Sequence, residues 1–400
     1  MTDKLLSPEV QNFIKDHQSD DPFLLSLNVK KEDDFPLKEA VEQIQSLQKA
    51  KGKLPSWTKT ENILWPPPVS VEQSSSEITA RFKASIIHGS SMADLTGGMG
   101  ADTSFFADHF EKVHYVESDP HLCELARHNF SLLGKSHIHA HNTTAEEFLI
   151  NHQENFDAIF IDPSRRSENR KVFKINECSP NLYDILPKCK AKTDQVLIKL
   201  SPLVDLSFLI NEFYPLSIWV VAVKNEVKEV LCLIRNENRP TRIVAIDLSH
   251  NGKINSEFKF LYHKESESNS EFSHPQKYLY EPNASILKAG AFKLIGNHFG
   301  LKKLHQHSHL YTSDELVENF PGKTLVVSEQ LRLDKKEVRH AFPEGIVNVI
   351  TRNFPLSPAQ LKAKFGLKDG GDHFLVGTTL MDGRKELLAC HRLAFSSMST

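Results

Sequence analysis

The sequence has no uninterrupted apolar run near the roughly 20 residues that cross a bilayer, so no membrane span is expected. Its opening, MTDKLLSPEVQNFIKDHQSDD, lacks the basic start and apolar core of a secretory signal. Cysteine is scarce: Cys123, Cys178, Cys189, Cys232 and Cys390 are scattered without any Cys-x-x-Cys. That spacing argues against a disulfide framework or a cysteine zinc site and fits a reducing cytoplasm. No internal repeat is present, which excludes a solenoid. A strong charge of one sign is missing as well, the net charge being −3 with 25% charged and 40% hydrophobic residues, ordinary for a soluble globular protein. The balance is nevertheless uneven. From residue 275 onward 17 Lys and Arg face 12 Asp and Glu, a mild basic excess that suits a polyanionic partner at that end.

With 400 residues there is room for two or three domains. Leu37, Val41, Ile44 and Leu47 recur at helical spacing in LKEAVEQIQSLQKAK, and SPEVQNFIKDHQ before it predicts a shorter helix. LPSWTKTENILWPPPVS then reads as a linker, because Pro66, Pro67 and Pro68 forbid a continuing helix. In SSSEITARFKASII, Ser74 and Glu77 have capping-box spacing, and Ile78, Phe82 and Ile86 recur every four residues, which predicts a helix leading into the next domain. Between residues 91 and 234 apolar strands alternate with helices, the pattern of a parallel sheet covered by helices. The strands are predicted at MADLT, VHYVE, IHAH, AIFID and QVLIKL, and Pro120 and Gly134 mark the start and end of one helix. SIWVVAV and EVLCLI close the block as an antiparallel hairpin. Asn251-Gly252 predicts a second hairpin within residues 242–262, and HKESESNSEFSHPQ a mobile polar connection. From Tyr278 helix patterns such as ASILKAGAFKLIGNHF mix with short strands, which predicts an α+β region.

MADLTGGMGADTSFF is the most informative stretch. Asp94 ends an apolar strand, and Gly97, Gly98 and Gly100 form a turn that lets backbone approach a ligand, with a helix N-terminus beyond it suited to anionic groups. The dinucleotide fingerprint needs a small residue where Thr103 stands, which argues against NAD. Glu117 ends the next strand 17 residues after Gly100, where a carboxylate can accept both hydroxyls of a ribose. Here the chain resembles the class I S-adenosylmethionine-dependent methyltransferases: DLTGGMG is similar to their D-x-x-x-G-x-G motif, and VHYVESD to their ribose-binding strand end. The resemblance implies S-adenosylmethionine as cofactor, Asp94, Gly97, Gly98, Gly100 and Glu117 as its binding residues, and Asn142 as the residue contacting adenine. The antiparallel closing hairpin separates this family from dinucleotide folds. VEQSSSEITARFKAS, DPSRR, LIKLSP, YLYEPNASILKAGAF, HLYTSD and VITRNFPL together resemble a bacterial subfamily with a C-terminal THUMP-like domain preceded by a small ferredoxin-like element.

The resemblance implies an α/β fold: a Rossmann-like methyltransferase sheet with a helical N-terminal region and a C-terminal α+β region. The expected division is 1–70 (helices and linker), 71–240 (methyltransferase domain), 241–277 (hairpin and linker), 278–328 (ferredoxin-like) and 329–400 (THUMP-like). Strand four, DAIFID, ends in Asp162-Pro163, where family members acting on base amino groups carry Asp or Asn, Pro, Pro and an aromatic residue. Ser164 replaces the second proline and Arg165 the aromatic, so a stacking platform is missing, although a guanidinium also stacks on bases and pairs with phosphate. Asp162, Pro163, Ser164 and Arg165 are the candidate catalytic residues, with Asp162 also bordering the cofactor. Arg166 serves RNA equally well on this reading, and salt bridges to an acidic helix are the alternative for both arginines. Cys178 could serve a cysteine-nucleophile mechanism but reads better as a small core residue, and Lys199 and Ser201 are either substrate contacts or structural. His137, His139 and His141, like His305, His307 and His309, have strand-alternate spacing but no grouped carboxylate or cysteine, so each set is read as a partly exposed strand face and no metal is expected. Arg332, Lys335, Lys336, Arg339 and Arg352 fit an RNA-binding accessory module. The expected protein is a cytoplasmic methyltransferase acting on RNA. A protein or small-molecule acceptor, or a non-catalytic RNA-binding protein on the same scaffold, are the alternatives.

Overall fold

The structure, a computed structural model, describes residues 2–28, 35–165, 177–237 and 239–393. It divides into two compact units: residues up to Ile218 with Lys228–Arg239 and Leu248–Lys253, and Trp219–Val227 with Pro240–Asp247 and everything from Ile254.

The first unit is organised by β1 (Ser91–Asp94), β2 (Lys112–Glu117), β3 (Ile138–Asn142), β4 (Ala158–Ile161), β5 (Val196–Leu200) and most of β7 (Glu226–Ile234), while β6 (Ser217–Val223) belongs largely to the second unit. Strand order across the six strands of this unit runs β7-β5-β4-β1-β2-β3. The first five are parallel, and β7 lies antiparallel to β5, with Val196 opposite Ile234. The order reverses beside β1, so the crevice for a ligand opens at the C-terminal ends of β1 and β4. The apolar runs are buried on both faces, as parallel strands covered by helices require: all four residues of β4 are inaccessible.

Helix α1 (Leu37–Ala50) supports the chain entering this unit. The proline-rich segment is pinned rather than free: Gln43 exchanges hydrogen bonds with both backbone groups of Trp65, and Ser46 Oγ donates to Pro66. Asn129, on α2 of the sheet layer (Pro120–Leu132), does the same for Leu64 at 3.0 and 2.8 Å. Asp119 caps that helix, Pro120 occupies its first turn and Gly134 follows at φ +71°, as the sequence predicts.

The helix Glu77–Ala84 departs from expectation at its start, and the face it buries is not the one its large apolar residues mark. Ser76, not Ser74, is the N-cap, and Glu77 instead accepts the Ser56 N–H. Its buried side chains are Thr79, Ala80, Lys83 and Ala84, whereas Ile78, Phe82 and Ile86 are only half-buried. The period is helical, but the buried face contains a lysine that apolar patterning cannot assign to a core.

In the second unit, β8 (Arg242–Leu248) and β9 (Ile254–Leu261) follow one another, with Gly252 at φ +80° in the predicted turn. The polar connection begins as a helix, Tyr262–Glu267, and its Glu265 accepts the N–H groups of Lys293 and Leu294. The helix predicted over 284–299 is two, Ala284–Ala289 and Leu294–Phe299, because Gly290 terminates the first in the left-handed region. A further sheet contains β10 (Tyr278–Pro282), β11 (Lys302–Lys303), β12 (Tyr311–Ser313), β13 (Gly322–Leu331), β14 (Asn348–Arg352), β15 (His373–Thr379) and β16 (Lys385–Arg392). Its order is β11-β12-β10-β13-β16-β15-β14. The segments expected as separate ferredoxin-like and THUMP-like domains therefore join through the β10–β13 pairing and share a core in which Leu279, Leu304 and Leu310 meet Leu325, Val376 and Leu388.

Candidate active site

A cleft of about 1050 Å³ opens at the C-terminal ends of β1, β2, β4 and β5. Gly97, Gly98, Glu117, Asp162, Pro163, Ser164, Lys199, Ser201 and Lys228 line it.

On one side, the loop after β1 is fixed by its own backbone. Gly97 donates to Val116 at 2.9 Å, and a Cβ at Gly97 would lie 2.1 Å from the Tyr115 ring. Gly98 has φ +54° and donates to Glu117 Oε2 at 2.8 Å, while the Tyr115 hydroxyl donates to the Gly98 carbonyl. Gly100, at φ +86°, is packed so closely that a Cβ would meet Phe130 Cζ at 2.5 Å. It shapes the turn and is not itself among the lining residues. Asp94 is 1% exposed and accepts from Thr103 Oγ1 at 2.6 Å and from the Thr96 N–H at 3.1 Å. Thr103, the residue that breaks the dinucleotide fingerprint, is thus the clamp on Asp94. Burial pushes the Asp94 carboxyl up to about 7 against those hydrogen bonds.

Glu117 bridges two loops, because its other oxygen accepts the Asp119 N–H at 2.8 Å. Asn142 is not among the lining residues: its amide donates to the carbonyls of Glu117 and Ser118 at 2.9 and 3.1 Å and so fixes the end of β2. Thr143, Thr144, Ala145 and Glu146, immediately after it, form that wall.

The opposite side is built from charge. The Asp162 N–H donates to Thr96 Oγ1 at 2.6 Å, and Asp162 Oδ2 pairs with Lys199 Nζ. Ser164 Oγ donates to the Ser179 carbonyl at 3.3 Å, and the backbone of Arg165 pairs with Cys178. Arg166 and the side chain of Arg165 lie outside the described residues. Burial alone would lower the Lys199 ammonium, but Asp162, Asp102 and Glu229 outweigh it and hold its pKa above the usual lysine range. Behind this pair, Lys83 is fully buried and reaches both Glu229 oxygens at 2.9 and 2.8 Å and Asp102 at 3.2 Å. Asp102 also accepts from Ser75 Oγ at 2.6 Å. Burial pushes Glu229 upward, a trend that Lys83 and Lys199 oppose. Sequence reading missed this network; its one signal is a lysine at position 83, i+4 from the buried Thr79.

The basic residues of the C-terminal region do not form one group. Arg332, Lys335, Lys336 and Arg339 are exposed at the helix Lys335–Ala341, but Arg352 forms an ion pair with the buried Glu281 at 2.5 Å and is engaged structurally. The histidines also separate. His137 Nε2 donates to the Ala107 carbonyl, away from His139 and His141, and His309 stacks on Phe292. Among the described residues no helix is long and apolar enough to cross a membrane.

Known proteins agree with this architecture. A crystal structure from Porphyromonas gingivalis W83, provisionally designated a methyltransferase, matches with a TM-score of 0.87 and 30% identity, covering 96% of this chain and 98% of that one. Two strains of Mycobacterium tuberculosis, CDC 1551 / Oshkosh and ATCC 25618 / H37Rv, carry S-adenosylmethionine-dependent methyltransferases described as uncharacterised. Each is 23% identical over 308 residues, which is 75% of this chain and 80% of the relative. Family models of a ferredoxin-like domain and of a THUMP domain-like segment match residues 278–321 and 322–392. The fold and cleft are those of an α/β methyltransferase. The chain belongs to the S-adenosylmethionine-dependent methyltransferases that carry ferredoxin-like and THUMP-like segments at the C-terminus, and S-adenosylmethionine is its cofactor.

Proposed function

We propose that this enzyme is a cytoplasmic RNA methyltransferase whose acceptor is a base amino group brought to Asp162. The observation that carries the reading is the Asp162-Pro163 turn, which ends β4 on the same cleft as the Gly97-Gly98 loop and Glu117. The THUMP-like segment and the exposed Arg332, Lys335, Lys336 and Arg339 support RNA as the macromolecule, since clustered cations supply affinity for phosphate without reading sequence.

The residues fit the cofactor. Gly97 has no room for a side chain, so ligand and Tyr115 can both approach the backbone, and Glu117 presents a carboxylate beside that loop for ribose hydroxyls. Asp94, Gly100 and Asn142 act through the loop and strand ends they fix, while Thr143 to Ala145 form the wall for adenine. When bound, S-adenosylmethionine supplies a methyl group on an already electrophilic sulfonium. What the chain adds is position. Lys199 takes Oδ2 of Asp162, which leaves Oδ1 to accept an amino N–H and aim the nitrogen lone pair. Arg165 and Arg166 bind phosphate or stack on the base in place of the missing aromatic residue.

The test is methyl transfer from labelled S-adenosylmethionine to RNA isolated from a strain lacking the gene, followed by nucleoside identification. Label in an amino-methylated nucleoside is expected. Label in a protein fraction with none in RNA contradicts the reading.

A further inference from the structure

In β2, three residues before Glu117, lies an unassigned cluster of imidazoles. His114, in β2, is 4% exposed, and its ring lies 5.1 Å from His141, 5.5 Å from His139 and 4.7 Å from His152. Strand pairing causes the first contacts, because His114 stands opposite His139 and Val116 opposite His141. His152 caps the end of the helix Ala145–Asn151, two residues before Glu154. Phe148 and Phe156 wall the rings, with centroids 4.9 and 5.1 Å from His152. No pattern in the sequence alone joins residue 114 to residue 152.

The nitrogens are arranged as ligands are. His114 Nδ1 and His141 Nε2 are 2.9 Å apart, so a proton on His114 Nδ1 leaves its Nε2 with a free lone pair. His114 Nε2 and His152 Nε2 are both buried without a hydrogen-bond partner, an arrangement that costs stability in a protein interior unless something accepts those lone pairs. One ring nitrogen of each of His114 and His152 and one Glu154 carboxylate oxygen lie within 4.8 Å of one another, and Glu154 Oε2 is 3.6 Å from His152 Nε2. Ligands of a tetrahedral zinc ion with bonds of about 2.0–2.2 Å sit roughly 3.4 Å apart, so the exposed Glu154 loop needs to close by about an ångström. Glu154 Oε2 also pairs with Lys112.

We propose that His114 Nε2, His152 Nε2 and the Glu154 carboxylate bind one divalent transition-metal cation of the zinc type, with His141 orienting His114. The cation ties β2 to the segment entering β4. Because His114 precedes Glu117 by three residues on an extended strand, roughly 10 Å, the role is structural and methyl transfer does not pass through it.

The test uses full-length protein stripped with chelator and titrated with Co²⁺, then Zn²⁺. One Co²⁺ per chain with a visible absorption band displaced by Zn²⁺ is expected, and Zn²⁺ at a hundredfold excess over Kd raises Tm by about 5 °C. Glu154→Gln, at an exposed position that leaves the core intact, weakens binding at least about tenfold, and His141→Ala by on the order of 10–100-fold. His307→Ala leaves binding unchanged. Absence of a stoichiometric Co²⁺ band in the native chain, or native affinity in Glu154→Gln, overturns the proposal.

Discussion

Asp94 and Glu117, at the ends of β1 and β2, are held by neighbours from their own loops: Thr96, Thr103, Gly98 and Asp119. The Asp162 carboxylate, at the end of β4, answers instead to Lys199, behind which Lys83 and Glu229 meet although 146 residues separate them, while its backbone N–H is held by Thr96. One side of the cleft is thus set by the loops that follow two neighbouring strands, and the other by charges that only the finished sheet brings together. A loop of the first kind is rigid enough to receive the same cofactor every time. A charge pair of the second kind can be retuned by one substitution, which suits the acceptor role proposed for Asp162.

The largest effect expected is on the long-range side. Lys83→Met leaves Glu229 buried without its cation and costs about 3–5 kcal/mol in urea unfolding of the cofactor-free protein; adding Glu229→Leu recovers most of the loss. No loss in the single variant contradicts the assignment of a buried pair. Next, the Asp94→Ala, Glu117→Ala double variant weakens S-adenosylmethionine binding by roughly 100-fold, about 2.7 kcal/mol in a calorimetric titration, and unchanged affinity breaks the local side of the comparison. A smaller effect concerns pH. Asp94 is raised to about 7 by burial, so between about 4 and 7 the folded chain binds a proton that the unfolded chain has released. This group's contribution therefore declines as pH rises through that window, with a slope of up to about 1.4 kcal/mol per unit, and the slope is absent in Asp94→Asn. The smallest effects belong to Arg165→Ala and Arg166→Ala. Each lowers the slope of log affinity against log salt for RNA by about one and leaves cofactor affinity unchanged.

What was legible in the sequence follows the same division. Asp94, the glycine turn, Glu117 and Asp162 could be placed because strand ends and glycines are local signals, and consecutive parallel strands put their ends on one rim. Asn142 was placed at the right strand end, but its amide turns back to β2, a choice made by hydrogen bonding across strands. Lys83 escaped because patterning assigns charge to the solvent face, and here the helix buries the neighbouring face. Arg352 was grouped with exposed cations because its partner, Glu281, is 71 residues away in sequence. The histidines of HIHAH suggested one another, whereas strand pairing and the turn before β4 supply His114 and His152 as their neighbours.

The independence of the two sides is tested most directly by Asp162→Asn, comparing S-adenosylmethionine affinity with the rate of methyl transfer to RNA from a strain lacking the gene. Transfer slowed by roughly 100-fold with affinity within about threefold of the native chain is the result predicted from the proposed roles, in which the carboxylate directs the acceptor and the loop after β1 holds the cofactor. Affinity falling in step with the rate, or a rate left unchanged, contradicts the account.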